Sequence, residues 1–142
     1  MTKILAALLP LLLLAPIAVL ADDNDSAGHE GAERVFEMRI YTAAEGKLPD
    51  LMARFRNHTN YLFVKHGMKL IGYWTPTEGD GKGNTLVYIL AHDSREAAKK
   101  SWAGFGADPA WKAAAAESRK DGRLVAGIEN QWLQATDFSP LQ

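Results

Sequence analysis

Residues 34–142 read as a β-α-β-β-α-β chain, an α+β arrangement of one four-stranded antiparallel sheet and two helices. Strict alternation in the first segment and β-branched, aromatic-rich runs in three others mark the strands. Two stretches with apolar residues at helical spacing lie between them, and glycine or proline stands at the junctions.

Arg34 to Thr42 (RVFEMRIYT) alternates, with Phe36, Met38 and Ile40 on one face and Val35, Glu37, Arg39 and Tyr41 on the other. Gly46 and Pro49 open a helix that runs to about His66. Its stripe is Leu48, Leu51, Met52, Phe55, Leu62 and Phe63, and Gly67 is its stop. Lys69 to Thr75 is the second strand, Pro76 to Asn84 (PTEGDGKGN) a turn, and Thr85 to His92 (TLVYILAH) the third strand. Ser94 caps a second helix, and Glu96 in its first turn favours the helix dipole. Asp108-Pro109 restarts that helix, with Asp as N-cap and Pro at the first helical position. The helix continues through Ala113–Ala116 to about Asp121, where Gly122 ends it, and Leu124 to Ala135 forms the last strand. This is the ferredoxin-like split βαβ order. It implies a duplicated βαβ unit, although no sequence repeat accompanies it.

The chain of 142 residues carries 16 Lys+Arg, 17 Asp+Glu, four His and no Cys, and is 47% hydrophobic. That is enough for one core and too little for two ordinary domains. A formal charge of −1 argues against a dedicated nucleic-acid binder. The lack of Cys excludes disulfides, thiolate metal sites and cysteine nucleophiles.

Met1 to Ala21 has the form of a signal peptide, with Lys3 before an apolar run and small or modest residues before a cut at Asp22. Pro10, Pro16 and the acidic flank of Asp22, Asp23 and Asp25 disfavour the alternative, a retained membrane anchor. Cleavage at Asp22 would leave a periplasmic or secreted protein with no stable membrane insertion. Residues 22–33 (DDNDSAGHEGAE) have no large apolar side chain and read as a disordered acidic spacer. The organisation is thus signal peptide 1–21, spacer 22–33 and domain 34–142.

Two helices cover only one face of a four-stranded sheet. Yet Leu86, Tyr88 and Leu90 oppose Val87, Ile89 and Ala91, and Ile71 and Tyr73 oppose Leu70 and Trp74. A sheet apolar on both faces needs a second cover, most simply another copy of itself in a C2 homodimer.

The segments FEMRIYTAAEGKL (36–48), RFRNHTNYLFVKHGM (54–68), IGYWTP (71–76), YILAHDSREAAKKSWAGFGADPAW (88–111) and TDFSP (136–140) together resemble the NIPSNAP family. The resemblance spans roughly residues 35–140 and implies a dimeric α+β barrel in which two ferredoxin-like sheets face one another. The family is associated with mitochondrial, membrane-trafficking and mitophagy-adaptor roles in animals, and its bacterial members have no agreed activity. An export signal in place of a mitochondrial presequence sets this chain apart from the organellar roles. The wider barrel group includes monooxygenases that need no metal and some haem-binding proteins.

Glu37, Arg39 and Tyr41 are expected on the partner-covered face. There Arg39 would floor an anion-recognising pocket walled by Tyr41 and Tyr73, or Glu37 and Arg39 would form a salt bridge fixing the dimer seam. Trp74, beside Pro76 and the glycine turn, is the candidate for a pocket mouth. His66 and His92 fall at one end of the sheet, where with the N–H groups after Ser94 they would form an anion or proton-transfer site. The alternative makes them structural. His58 is expected to be half-exposed, and His29 lies in the spacer.

No H-x-H, H-E-x-x-H or clustered-carboxylate pattern points to a metal, and no cofactor is expected. Trp74, Trp102, Trp111 and Trp132 with Phe105 would suit an aromatic ligand box, but Trp102 and Phe105, at i and i+3 on the second helix, favour plain core packing. GDGKGN (79–84) lacks the ending of a phosphate loop, no nucleophile elbow is visible, and the Asn57-His58-Thr59 sequon falls in a helix.

The leading expectation is an exported homodimer that binds a small molecule or a protein partner. The alternative is a cofactor-independent oxygenase or isomerase with His66 or His92 as acid/base and Arg39 as electrostatic stabiliser. A third expectation is an adaptor using Arg95, Lys99, Lys100, Lys112, Arg119 and Lys120.

Overall fold

The computed structural model describes residues 34–141, so the expected signal peptide and spacer lie outside the described residues. The elements are β1 (Val35–Ala43), α1 (Leu48–Arg54), a π-helical turn (Phe55–Thr59), α2 (Asn60–Lys65), β2 (Lys69–Trp74), β3 (Thr85–His92), α3 (Arg95–Ala107), α4 (Pro109–Glu117) and β4 (Val125–Gln134). The four strands form one antiparallel sheet in the order β2-β3-β1-β4, the ferredoxin-like arrangement expected from the sequence. Among the described residues, no helix is long and apolar enough to cross a membrane.

The caps form as the sequence predicts. Ser94 Oγ accepts from Ala97 N at 3.0 Å, and Asp108 Oδ1 accepts from Ala110 N at 2.8 Å with Pro109 behind it. One boundary differs. The second helical segment ends at Glu117 rather than about Asp121. There, three-residue bonds from Arg119 N to Ala116 O and from Lys120 N to Glu117 O tighten the chain into a turn ahead of Gly122, whose φ is +107°.

The first helix is not uniform. Its middle turn is π-helical, and Thr59 Oγ1 donates to Arg54 O, five residues back, at 3.3 Å. The extra residue in that turn shifts the helical phase. Arg54, Phe55, Thr59, Leu62 and Phe63 are all buried.

One expectation is corrected. Glu37, Arg39 and Tyr41, expected on a partner-covered face, face the helices packed on the sheet instead of its open outer side. Trp102 of α3 donates to Glu37, and the ring of Phe55 packs edge-on to Tyr41 with centroids 5.9 Å apart. In the β1–β3 register they stand beside Leu90, Tyr88 and Leu86. β1 is polar on its inner side because that side carries a buried hydrogen-bonded cluster. The alternation of one strand in a two-sided sheet shows two faces but not which is covered by helices.

The core between sheet and helices is built on Leu51, Phe55, Phe63, Tyr88, Leu90 and Phe105. A bulge between Leu70 and Gly72 brings Leu70 and Tyr73 onto this inner side together. The outer face carries Phe36, Met38, Ile40, Ile71, Val87 and Ile89. Trp74 lies there too, 51% exposed, with its ring flat against Gly72. A Cβ on Gly72 would sit 2.6 Å from that ring. The C-terminal segment turns back over one end of this face, where Leu141 and Phe36 border a shared apolar groove.

Candidate functional site

The inner polar cluster is centred on Glu37, which is fully buried. Its Oε1 accepts from Arg39 Nη1 at 2.9 Å and Asn130 Nδ2 at 2.8 Å. Its Oε2 accepts from Trp102 Nε1 at 2.6 Å and lies 3.1 Å from His92 Nε2. Burial pushes the Glu37 pKa up. The bonds from His92 and Trp102 and the charge of Arg39 outweigh it, so the carboxyl is held below its usual range. The Arg39 guanidinium lies 4.3 Å from the Trp102 ring centroid and 5.7 Å from that of Tyr41. The expected Glu37–Arg39 salt bridge therefore exists, but it lies between the sheet and the helices of this chain.

Beside this cluster, between sheet and helices, opens a cavity of about 320 Å³. Aromatic rings form much of its wall: Tyr41 from β1, Phe55 from the π turn, Phe63 from α2, Phe105 from α3 and Trp111 from α4. Phe105 and Trp111 are 4.4 Å apart between centroids, and Phe55 meets Phe63 at 6.1 Å. Three cations share the lining: Arg54, buried at the end of α1, and the exposed Arg119 and Arg123 after α4. The π turn makes this geometry, because it places both Arg54 and Thr59 on the cavity side.

The residues singled out from the sequence are dispersed. Tyr41 lines the cavity, whereas Arg39 is held by Glu37. Tyr73 stacks on Tyr88 at 5.6 Å and borders a separate groove of about 210 Å³ with Phe55 and Asn60. Burial raises the Tyr73 pKa to about 12, so its phenol stays protonated. Trp74 is on the opposite face of the sheet.

His66 and His92 do not form one site. His92 is sealed between Glu37 and the Trp132 ring, and His66 Nε2 lies 2.7 Å from Asp108 Oδ2. Neither lines the cavity. The basic residues offered as an adaptor surface are also divided. Arg95 lies 3.7 Å from the Trp132 ring centroid, Lys120 pairs with Glu117, and Arg119 belongs to the cavity.

Sequence reasoning missed Arg54, Arg123 and Phe55 as site residues, placed Arg119 on an adaptor surface and favoured core packing over a ligand box for Trp111. The available signal was Arg54 itself, a cation three residues after Leu51 and so on the apolar stripe.

Asp108 joins helix capping to charge. Lys65 Nζ donates to its Oδ2 at 2.7 Å. That bond first, then those from His66 and the Ala110 N–H, holds its carboxyl well below the usual range. A carboxyl depressed by folding stabilises the fold fully above its unfolded pKa of about 3.9, and the contribution is lost as pH falls through the folded value. Asp108→Asn keeps a capping oxygen but not the charge, so it should flatten the loss of stability below about pH 4. Urea unfolding between about pH 5 and about pH 2 measures this, and an acid limb as steep as in the parent contradicts it.

Comparison with known proteins agrees with the fold. The NIPSNAP family pattern matches residues 36–140. A NIPSNAP family protein of unknown function from Agrobacterium tumefaciens is 25% identical, with a TM-score of 0.68 over 80% of this chain and 98% of that one. An uncharacterized NIPSNAP-like domain protein from Burkholderia xenovorans is 21% identical, with a TM-score of 0.67 over 77% of this chain and 90% of that one. The cofactor-independent oxygenase SnoaB from Streptomyces nogalater is 20% identical, with a TM-score of 0.53 over 77% of this chain and 99% of that one. The last two likenesses show the fold alone. Among curated proteins none matches. With a family pattern that runs from the first strand to the C-terminal segment, this chain belongs to the NIPSNAP family.

Proposed function

We propose that this protein is a homodimeric small-molecule-binding module whose site is the cavity between the sheet and the helices. The cavity carries the proposal. Its volume of about 320 Å³ is that of a small-ligand pocket, and its walls are mostly apolar, with five aromatic rings and three cationic groups. The outer face supports the homodimer. Met38, Ile40, Val87 and Ile89 form an apolar strip with none of the described helices over it, suited to a second copy of the sheet. Export through the N-terminal leader belongs to the same proposal. It requires that the protein isolated from its host begin at Asp22.

A cofactor-independent oxygenase or isomerase fits less well. Its proposed acid/base groups, His66 and His92, are engaged by Asp108 and Glu37 away from the cavity.

Native mass spectrometry of the protein isolated from its host tests the module. The expected result is a dimer carrying a defined added mass. Ala115 is buried in the cavity wall, and Ala115→Phe should fill the space, removing the added mass while the dimer persists. An added mass retained by Ala115→Phe overturns the assignment of the site.

A further inference from the structure

We propose that the cavity takes an acid: a flat apolar or aromatic body bearing a carboxylate or phosphate that is held by Arg54 with Arg119 and Arg123. This rests on the cavity being the binding site and adds the class of ligand.

Arg54 carries the inference. It is only 8% exposed, yet its Nε has no hydrogen-bond partner. Its Nη1 has one long bond, to Ser118 Oγ at 3.4 Å. Among the described residues Arg54 forms no ion pair with a carboxylate, although Asp50, Glu117 and Asp121 border a second groove that it also lines. Glu37 is held by Arg39 and His92, Asp50 by Lys47, Asp93 by Lys69, Asp108 by Lys65 and His66, and Glu117 by Lys120. The nearby cation is Arg119, whose like charge, together with the larger effect of burial, pushes the Arg54 pKa down. A buried cation without an anion is costly, and a second cation beside it adds to the cost. Such an arrangement fits an anion arriving from outside.

The geometry also sets what the anion carries with it. The Arg54 guanidinium lies 5.2 Å from the Trp111 ring centroid. Beyond Trp111 the cavity is bordered by Phe105, Phe63, Phe55, Tyr41 and Ile128. An oxyanion on the guanidinium fork therefore directs the rest of its molecule along aromatic faces. Arg119 and Arg123, both exposed, stand where they can meet the same charge from the solvent side.

The test compares 2-naphthoate and 2-naphthyl phosphate with the neutral 2-naphthamide, by calorimetry on the full protein and on variants. The expected result is that at least one acid binds about tenfold or more tightly than the amide, and more weakly as salt is added. Whichever acid binds better identifies carboxylate or phosphate as the charged group. Arg119→Gln with Arg123→Gln, both at exposed positions, should remove most of the acid's advantage and leave the amide unaffected. Arg54→Lys keeps the charge but loses the fork, and should weaken the acid several-fold.

If the amide binds as tightly as both acids, or the double variant keeps the full advantage, the acid inference is overturned. In that case binding that is still abolished by Ala115→Phe leaves the cavity reading standing. Binding of none of the three, or binding indifferent to Ala115→Phe, overturns both.

Discussion

Glu37→Ala should cost this protein about 3–5 kcal/mol, enough to unfold much of it at ordinary temperature. The carboxylate is fully buried and receives Arg39, Asn130, Trp102 and His92, which come from β1, β4, α3 and β3. Removing it leaves a part-buried guanidinium and three other donors without their acceptor, in a space water does not reach cheaply. Glu37→Gln keeps the shape and one acceptor oxygen but turns an NH₂ towards other donors, so it should cost less, roughly 1–3 kcal/mol.

The pH dependence has the same origin. The Glu37 carboxyl is held below its usual range, so its contribution is complete above the unfolded pKa of about 4.3 and is lost as pH falls through the folded value. Urea unfolding at neutral pH checks the substitutions. A Glu37→Ala protein within about 1 kcal/mol of the parent contradicts the view that this cluster ties the sheet to α3.

Ile89→Glu should convert the proposed homodimer to a folded monomer. Ile89 stands near the centre of the outer face, paired with Met38 of β1 on one side and Gly72 of β2 on the other. In a sheet-to-sheet dimer each copy would bring a carboxylate into an apolar interface. Each such ion costs several kcal/mol, so dissociation should strengthen by more than about 100-fold. The inner core is untouched, because Leu90 and Tyr88 point the other way, and circular dichroism should stay that of the parent. Sedimentation at micromolar concentration reads the outcome. A parent that is already monomeric, or a variant dimer as tight as the parent's, overturns the sheet-to-sheet contact.

The element order was legible because each junction has its own local chemistry. Asp108-Pro109 shows how: one residue caps, the next fixes φ, and both act within a few residues whatever the rest of the chain does. The π turn at Phe55–Thr59 was not legible, since the stripe from Leu48 to Phe63 looks continuous at ordinary helical spacing. The inserted residue reveals itself only where Thr59 Oγ1 reaches back to Arg54 O.

The inward side of β1 was misread for a different reason. Glu37 and Arg39 are polar when taken alone, and become suited to an interior only through Trp102, His92 and Asn130, which are 93 residues away at the farthest. Arg54 was passed over in the same way. Its lack of an ion-pair partner among the described residues is a property of the folded arrangement and not of any local motif.

Chemical-shift mapping of 2-naphthoate on the isotopically labelled protein tests the site most directly. The central claim predicts shifts at Ala115, Leu124, Val125 and Ile128, the methyl groups that line the cavity beside Trp111 and the arginines, with the outer face unmoved. Shifts confined to Ile71, Ile89 and Leu133, which border the apolar groove on the outer face, would contradict it.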